Sequence, residues 1–74
     1  MFAEEQYVES SNLLSASYDA EEMKLRITFT NGSQYEYEGV PEEEFTGLLS
    51  AESKGKFFYQ NIRRGGYAFQ KIQS

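Results

Sequence analysis

Neither cysteine nor histidine occurs in this 74-residue chain, and proline appears once. Without cysteine there can be no disulfide and no thiolate metal site. Without histidine the usual general base and the commonest transition-metal ligand are missing as well. Any catalysis would have to come from carboxylates, lysine or tyrosine, so the expectation is a protein that is not an enzyme and needs no metal or cofactor. Long apolar runs are also lacking. Nothing approaches the ~20 residues that span a bilayer, and the opening Met1-Phe2-Ala3-Glu4-Glu5 has neither a basic segment nor an apolar stretch. A cytoplasmic protein with no membrane partner is therefore expected.

Aromatic residues are plentiful by contrast. Six tyrosines and six phenylalanines can supply much of a core, since each ring removes ~150–250 Å² from water when buried. The length allows one domain, which at this size buries ~60% of the surface that its unfolded chain exposes. Charge is divided unevenly along that domain. Residues 1–53 hold all twelve acids and two bases, whereas residues 54–74 hold Lys54, Lys56, Arg63, Arg64 and Lys71 and no acid. The net charge of −5 argues against a uniformly basic coat for nucleic acid, but the last third is a candidate anion-binding region. Mutual attraction between the two halves of the fold would explain the same asymmetry.

Residues 1–9 are polar and without strong periodicity, and they read as a loose arm before a single domain over residues 10–74. Leu14, Ala16 and Tyr18 alternate with Ser15 and Ser17 as in a half-buried strand. After a turn at Asp19-Ala20-Glu21-Glu22, the residues Met23, Leu25, Ile27 and Phe29 alternate with Lys24, Arg26, Thr28 and Thr30, the clearest strand in the chain. Asn31-Gly32 is a strong hairpin signal because both residues tolerate positive φ, and Gln34 to Glu38 should return as an antiparallel strand. A two-residue loop would turn Glu36 and Glu38 toward the apolar face. A three-residue loop or bulge, pairing Phe29 with Tyr35, Ile27 with Tyr37 and Arg26 with Glu38, avoids that cost.

Pro41 suits the first position of a helix, where its missing N–H costs nothing. Glu42, Glu43 and Glu44 then fall in the first turn and Phe45, Leu48 and Leu49 form an apolar stripe. Gly47 weakens that helix by ~1 kcal/mol relative to alanine unless close packing compensates. Ser50 or Ser53 can cap a second helix carrying Phe57, Phe58 and Ile62, which Gly65-Gly66 should end. Tyr67 to Ile72 is a possible last strand. The fold class is thus α+β: a small antiparallel meander of three strands, with a short C-terminal fourth allowed, packed against two short helices. The core set expected is Leu14, Ala16, Met23, Leu25, Ile27, Phe29, Phe45, Leu48, Leu49, Phe57, Phe58 and Ile62.

The order Ser10-Ser11, Tyr18, Leu25-x-Ile27-x-Phe29, Gly32, Tyr35-Glu36-Tyr37, Val40-Pro41 and Ser53-Lys54-Gly55-Lys56-Phe57-Phe58 resembles the KTSC domain. That family is named for the C-terminus of some lysyl-tRNA synthetases and also occurs as short free-standing bacterial and phage proteins. The resemblance covers about residues 10–72 and implies a compact α+β module for which RNA binding has been suggested by the synthetase association.

Three groups of residues are candidates for ligand contact. Ser53, Lys54, Gly55 and Lys56 combine a helix start, a glycine that permits close approach and two cations; a capped helix start with solvated lysines has the same sequence. Arg63 and Arg64 follow about two and a half turns later, or ~13 Å along the helix, where they would also offset the negative end of its dipole. Tyr35 and Tyr37 have the spacing of a base-stacking platform, which is equally the spacing of a half-buried strand. Glu42-Glu43-Glu44 does not converge on a metal, because consecutive helical residues point ~100° apart. The function expected is a small non-catalytic binding module for a phosphate-bearing partner such as RNA or a nucleotide. The alternative is a module for a protein partner or a second copy of itself, as a homodimer.

Overall fold

The computed structural model describes residues 1–8 and 10–73. It is an α+β fold in which five strands form one antiparallel sheet in the order of the chain, β1 to β5. These are β1 (Gln6–Tyr7), β2 (Leu13–Asp19), β3 (Lys24–Phe29), β4 (Gln34–Glu38) and β5 (Ala68–Gln73). The connection from β4 to β5 carries both helices. Helix α1 is Glu42–Ser50, and α2, Lys54–Phe57, runs directly into a π turn at Phe58–Ile62 and a 3₁₀ turn at Arg63–Gly65. No helix among the described residues is long and apolar enough to cross a membrane.

The sheet has two more strands than the expected three, for different reasons. The last is the C-terminal strand already allowed for, one residue later than the Tyr67 start read from the sequence and paired throughout with β4. The first comes from the segment expected as a loose arm. Gln6 and Tyr7 pair with Ala16 and Ser15, Val8 donates its N–H to the Leu14 carbonyl at 3.0 Å, and Ala3 donates to Tyr18 at 2.9 Å. Polar local sequence does not prevent this, because the exposed edge of β2 supplies the partner groups. Glu9, the end of the expected arm, and Ser74 lie outside the described residues.

The hairpin between β3 and β4 uses a three-residue loop, Thr30-Asn31-Gly32, but its register differs from the expected one by two residues. Ile27 pairs with Tyr35, Leu25 with Tyr37, Arg26 with Glu36 and Lys24 with Glu38. The turn decides this: Gly32 donates to the Phe29 carbonyl at 3.0 Å, Phe29 donates to Ser33 at 2.8 Å, and Gly32 has φ +92°, the arrangement of a type I turn closed by a glycine bulge. A shift of two preserves the side-chain faces. Tyr35 and Tyr37 therefore remain with Leu25 and Ile27, while Glu36 lands opposite Arg26 on the other face.

The core is the layer between sheet and helices. Leu13, Ala16, Tyr18, Leu25, Ile27, Tyr37, Val40, Leu48, Phe58 and Ile62 are buried, with Phe29, Phe45 and Phe57 packed around them. Two members of the expected core sit outside. A bulge between Leu13 and Ser15 reverses the phase of β2, so Leu13 is buried and Leu14 is 44% exposed. Met23 ends the β2–β3 turn at φ +56°, which takes it out of the strand and leaves it exposed. Leu49 is half-buried, at the margin of the apolar stripe. Tyr18 joins the core because its hydroxyl donates to the Val40 carbonyl and its ring stacks on Phe45 at 5.4 Å.

Pro41 is the residue before α1, with ψ 149°, not its first helical residue. The three glutamates do fill the first turn. Gly47 lies under Phe57: a Cβ there would come within 2.8 Å of the ring, so the glycine lets the two helices approach. Ser53 caps α2 and Gly66, at φ +81°, closes the helical stretch.

Candidate ligand groove

The start of α2 is more committed to structure than its sequence indicates. Ser53 Oγ accepts from the Lys56 N–H at 3.4 Å, and the Lys54 ammonium donates to the Ala51 carbonyl at 2.8 Å. Lys54 thereby caps the C-terminal end of α1, whose last turn holds no base of its own. Lys56 remains exposed. Gly55 faces the loop before β2, where an added Cβ would lie 3.4 Å from Ser10 Oγ and 3.9 Å from Asn12 Nδ2. Ser10 in turn accepts from the N–H groups of Asn12 and Leu13, which fixes the turn of that loop beside the helix.

Three recesses meet here. The first, of about 270 Å³, lies between Ser10, Ser11 and Asn12 on one side and residues 52–56 on the other. Asn12 and Gly55 also line the second, of about 380 Å³, together with Thr30, Asn31, Tyr59 and Arg63. Phe29, Asn31, Phe58 and Arg63 connect this to the third, of about 440 Å³, which adds Ser33, Tyr35, Tyr37 and Phe69. Neighbouring recesses share lining residues, so they lie side by side and mark a groove of adjoining recesses from the start of α2, past Arg63, to the aromatic face of β4 and β5.

Seven of the eight residues expected as ligand contacts line that groove. Ser53, Lys54, Gly55 and Lys56 lie at one end, Arg63 in the middle and Tyr35 and Tyr37 at the other end. Arg64 does not line it. Adjacent residues of a 3₁₀ turn point ~120° apart, so only one arginine of the pair can face the groove. The two tyrosines also differ. Tyr37 is 4% exposed and packs edge-on against Phe58 at 5.6 Å, so it belongs mainly to the core. Tyr35 is half-buried, edge-on to Phe29 at 5.7 Å and tilted against Phe69 at 6.0 Å.

Arg63 is the focus of the electrostatics. Its guanidinium lies 5.6 Å from the Tyr59 ring centroid, and among the described residues it forms no ion pair with a carboxylate. Burial pushes the Tyr37 phenol above its ordinary pKa, and the nearby Arg63 charge partly offsets that rise. The π turn before Arg63 is held by the chain itself: Arg63 donates its N–H to the carbonyls of Phe58 and Tyr59, and Asn61 Nδ2 donates to the Phe57 carbonyl at 3.2 Å. Such wide turns are frequent at functional positions.

Asn12, Asn31, Tyr59 and Phe69 were not singled out as contacts by sequence. Asn31 gave a turn signal, and it does make one, its Oδ1 accepting from the Ser33 N–H at 2.9 Å. Nothing local marks the other three, which come from separate segments and meet only in the fold. Lys71 pairs across from Tyr35 and so shares the face on which the groove opens.

An antiparallel meander whose last connection carries two helices, with a groove opening where those helices meet the sheet, defines a small α+β domain of a recognisable kind. The chain belongs to the KTSC domain family, whose pattern matches residues 9–67. It is similar to a KTSC domain protein from Yersinia pestis of known crystal structure, with a TM-score of 0.84 and 38% identity over 97% of this chain and 99% of that one. An uncharacterized protein of Stutzerimonas stutzeri is 38% identical over 65 residues, 88% of this chain and 92% of its own length. A protein of Tsukamurella paurometabola is 50% identical over 52 residues, 70% of this chain and 78% of its own.

Proposed function

We propose that this KTSC domain is a non-catalytic binding module that takes a phosphate-bearing ligand, RNA or a nucleotide, through residues 53–71. The observation that carries this reading is the groove itself, which joins the basic start of α2 to aromatic rings through an arginine that has no carboxylate partner among the described residues. Phosphates favour such cations, and rings favour bases. The absence of histidine and cysteine supports a binding role over a catalytic one.

A titration of the labelled protein with inorganic phosphate, mononucleotides and short RNAs, followed by backbone chemical shifts, tests the reading. Perturbations should cluster on residues 53–64, and affinity should fall as salt rises. Replacing Lys54 and Lys56 together should weaken binding more than replacing Lys24, which faces Glu36 at 3.6 Å on the other side of the sheet. Silence toward every phosphate compound would defeat it.

A second reading rests on β5, the outer strand of the sheet, where Phe69 and Ile72 are 60% and 42% exposed. An exposed edge with apolar side chains suits a protein partner or a second copy. Light scattering across micromolar to millimolar concentrations tests the second copy, because self-association raises the mass in the absence of ligand, and a pull-down tests the protein partner.

A further inference from the structure

We infer that the aromatic end of the groove receives a single unpaired nucleobase, with the phosphate of the same nucleotide on Arg63, so that the ligand is a free nucleotide or a single strand and not a duplex. This rests on the phosphate reading above and specifies it.

The walls of the two recesses around Arg63 carry the inference. They hold one positive charge and no acid, in a chain whose formal charge is −5. Around that charge are aromatic rings and neutral hydrogen-bonding groups. Phe69 is 60% exposed although it lies 5.4 Å from the Tyr37 ring and 6.0 Å from Tyr35. It is therefore backed by other rings while leaving area for a ligand. Asn31 has its oxygen on the Ser33 N–H, which leaves the amide NH₂ to donate to an acceptor on a base edge. A volume of about 440 Å³ falls within the ~300–1,000 Å³ of small-molecule sites.

A paired base cannot use this arrangement. In a duplex its faces are stacked, so the Phe69 ring cannot lie on one, and its Watson–Crick edge is paired, which leaves the Asn31 amide only the acceptors on the groove edges. Charge acts in the same direction. A duplex brings one phosphate per ~1.7 Å of axis, and most of those charges would fall outside the groove, over a surface on which residues 1–53 hold twelve acids and two bases. A nucleotide brings its charge only to Arg63.

The test uses the intact protein and four probes: adenosine 5′-monophosphate, inorganic phosphate, a single-stranded RNA hexamer, and the duplex made from that hexamer and its complement. The expected result is binding of the nucleotide and the single strand, with upfield shifts of the adenine ring protons and perturbation of Tyr35, Arg63 and Phe69. The duplex should bind at least ~10-fold more weakly. Phe69→Ala, with its fold checked by circular dichroism, should weaken the nucleotide by ~5- to 150-fold, the range for loss of one stacked base. It should leave inorganic phosphate unchanged, whereas Arg63→Gln should weaken both. Equal affinity for strand and duplex, or an unchanged affinity in Phe69→Ala, would overturn the base pocket while leaving phosphate binding in place. Failure of all four probes, inorganic phosphate included, would remove the phosphate reading itself.

Discussion

The two faces of the sheet are closed in opposite ways. On the helix side Leu25 and Ile27 are fully buried against Leu48, Phe58 and Ile62, and the stabilising effect is removal of apolar area from water. On the other side Ser15, Ser17, Asp19, Thr28 and Glu36 are also buried, yet every one is polar. That face is covered by the first residues of the chain and by its own long side chains: Phe2 lies 4.1 Å from the Arg26 guanidinium, Arg26 reaches Glu36 at 2.9 Å, and the N-terminal ammonium reaches Asp19 at 2.7 Å. Burial alone thus says little about what stabilises a position. The helix face tolerates no loss of volume, whereas the opposite face depends on partners, and two of its buried polar atoms, Ser15 Oγ and Arg26 Nε, have none among the described residues.

Substitutions can break or sharpen this contrast. The largest effect belongs to the helix face, where Leu25→Ala should cost ~2–5 kcal/mol through lost transfer energy and a residual cavity, measured by urea unfolding. Next comes Glu36→Ala. It leaves Arg26 and Lys24 without their shared carboxylate and should cost ~1–3 kcal/mol, below the value for a fully buried pair because about a third of each cation's side chain is exposed. If it costs as much as Leu25→Ala, the two faces are energetically alike and the contrast fails.

Phe2→Ala should remove only a contact of the ~0.5–1 kcal/mol class, and a larger loss would mean that the N-terminal segment packs as core. The smallest effect is pH dependence at Asp19. The ammonium hydrogen bond holds its carboxyl below the ordinary carboxylate range, with the N–H groups of Glu21 and Glu22 contributing. Its contribution is therefore present above about pH 4 and lost as pH falls through the lower folded value. The ammonium, raised by the same hydrogen bond, acts in reverse, contributing fully below about pH 8 and losing its effect as pH rises through the higher folded value. Asp19→Asn should flatten the stability profile at both ends.

Features set by neighbours in sequence were legible before the structure. The β3–β4 hairpin, the acidic first turn of α1, the Ser53 cap and the glycine stop at Gly66 each depend on a few adjacent residues. Features set by distant partners were not. The bulge that exchanges Leu14 for Leu13 is a property of β2 paired with β3, and the pairing of Gln6 and Tyr7 needs the free edge of β2. The register of the hairpin lies between these cases: its loop length and side-chain faces followed from Asn31-Gly32 and the apolar pattern, but the pairing depended on how Gly32 closes the turn. The groove divides in the same way. Its cations and tyrosines were visible as composition, whereas Asn12, Tyr59 and Phe69 are brought to its walls only by the meander and the helices.

Strand β5 is the one strand reached through a long excursion, since Tyr35 pairs with Lys71 whereas β2, β3 and β4 follow one another through short turns. Closing that loop demands chain entropy that the hairpins do not, so the domain should assemble as an early meander followed by docking of its C-terminal strand. Hydrogen exchange should find the β4–β5 amides opening more readily than those of β2 and β3. Phe69 lies on the late strand, so one of the five rings that line the aromatic recess is delivered by the last folding event. Any molecule resting on that ring then acts as a clamp on the fold: by mass action it lowers the frayed population of β5 and raises the temperature at which the sheet comes apart.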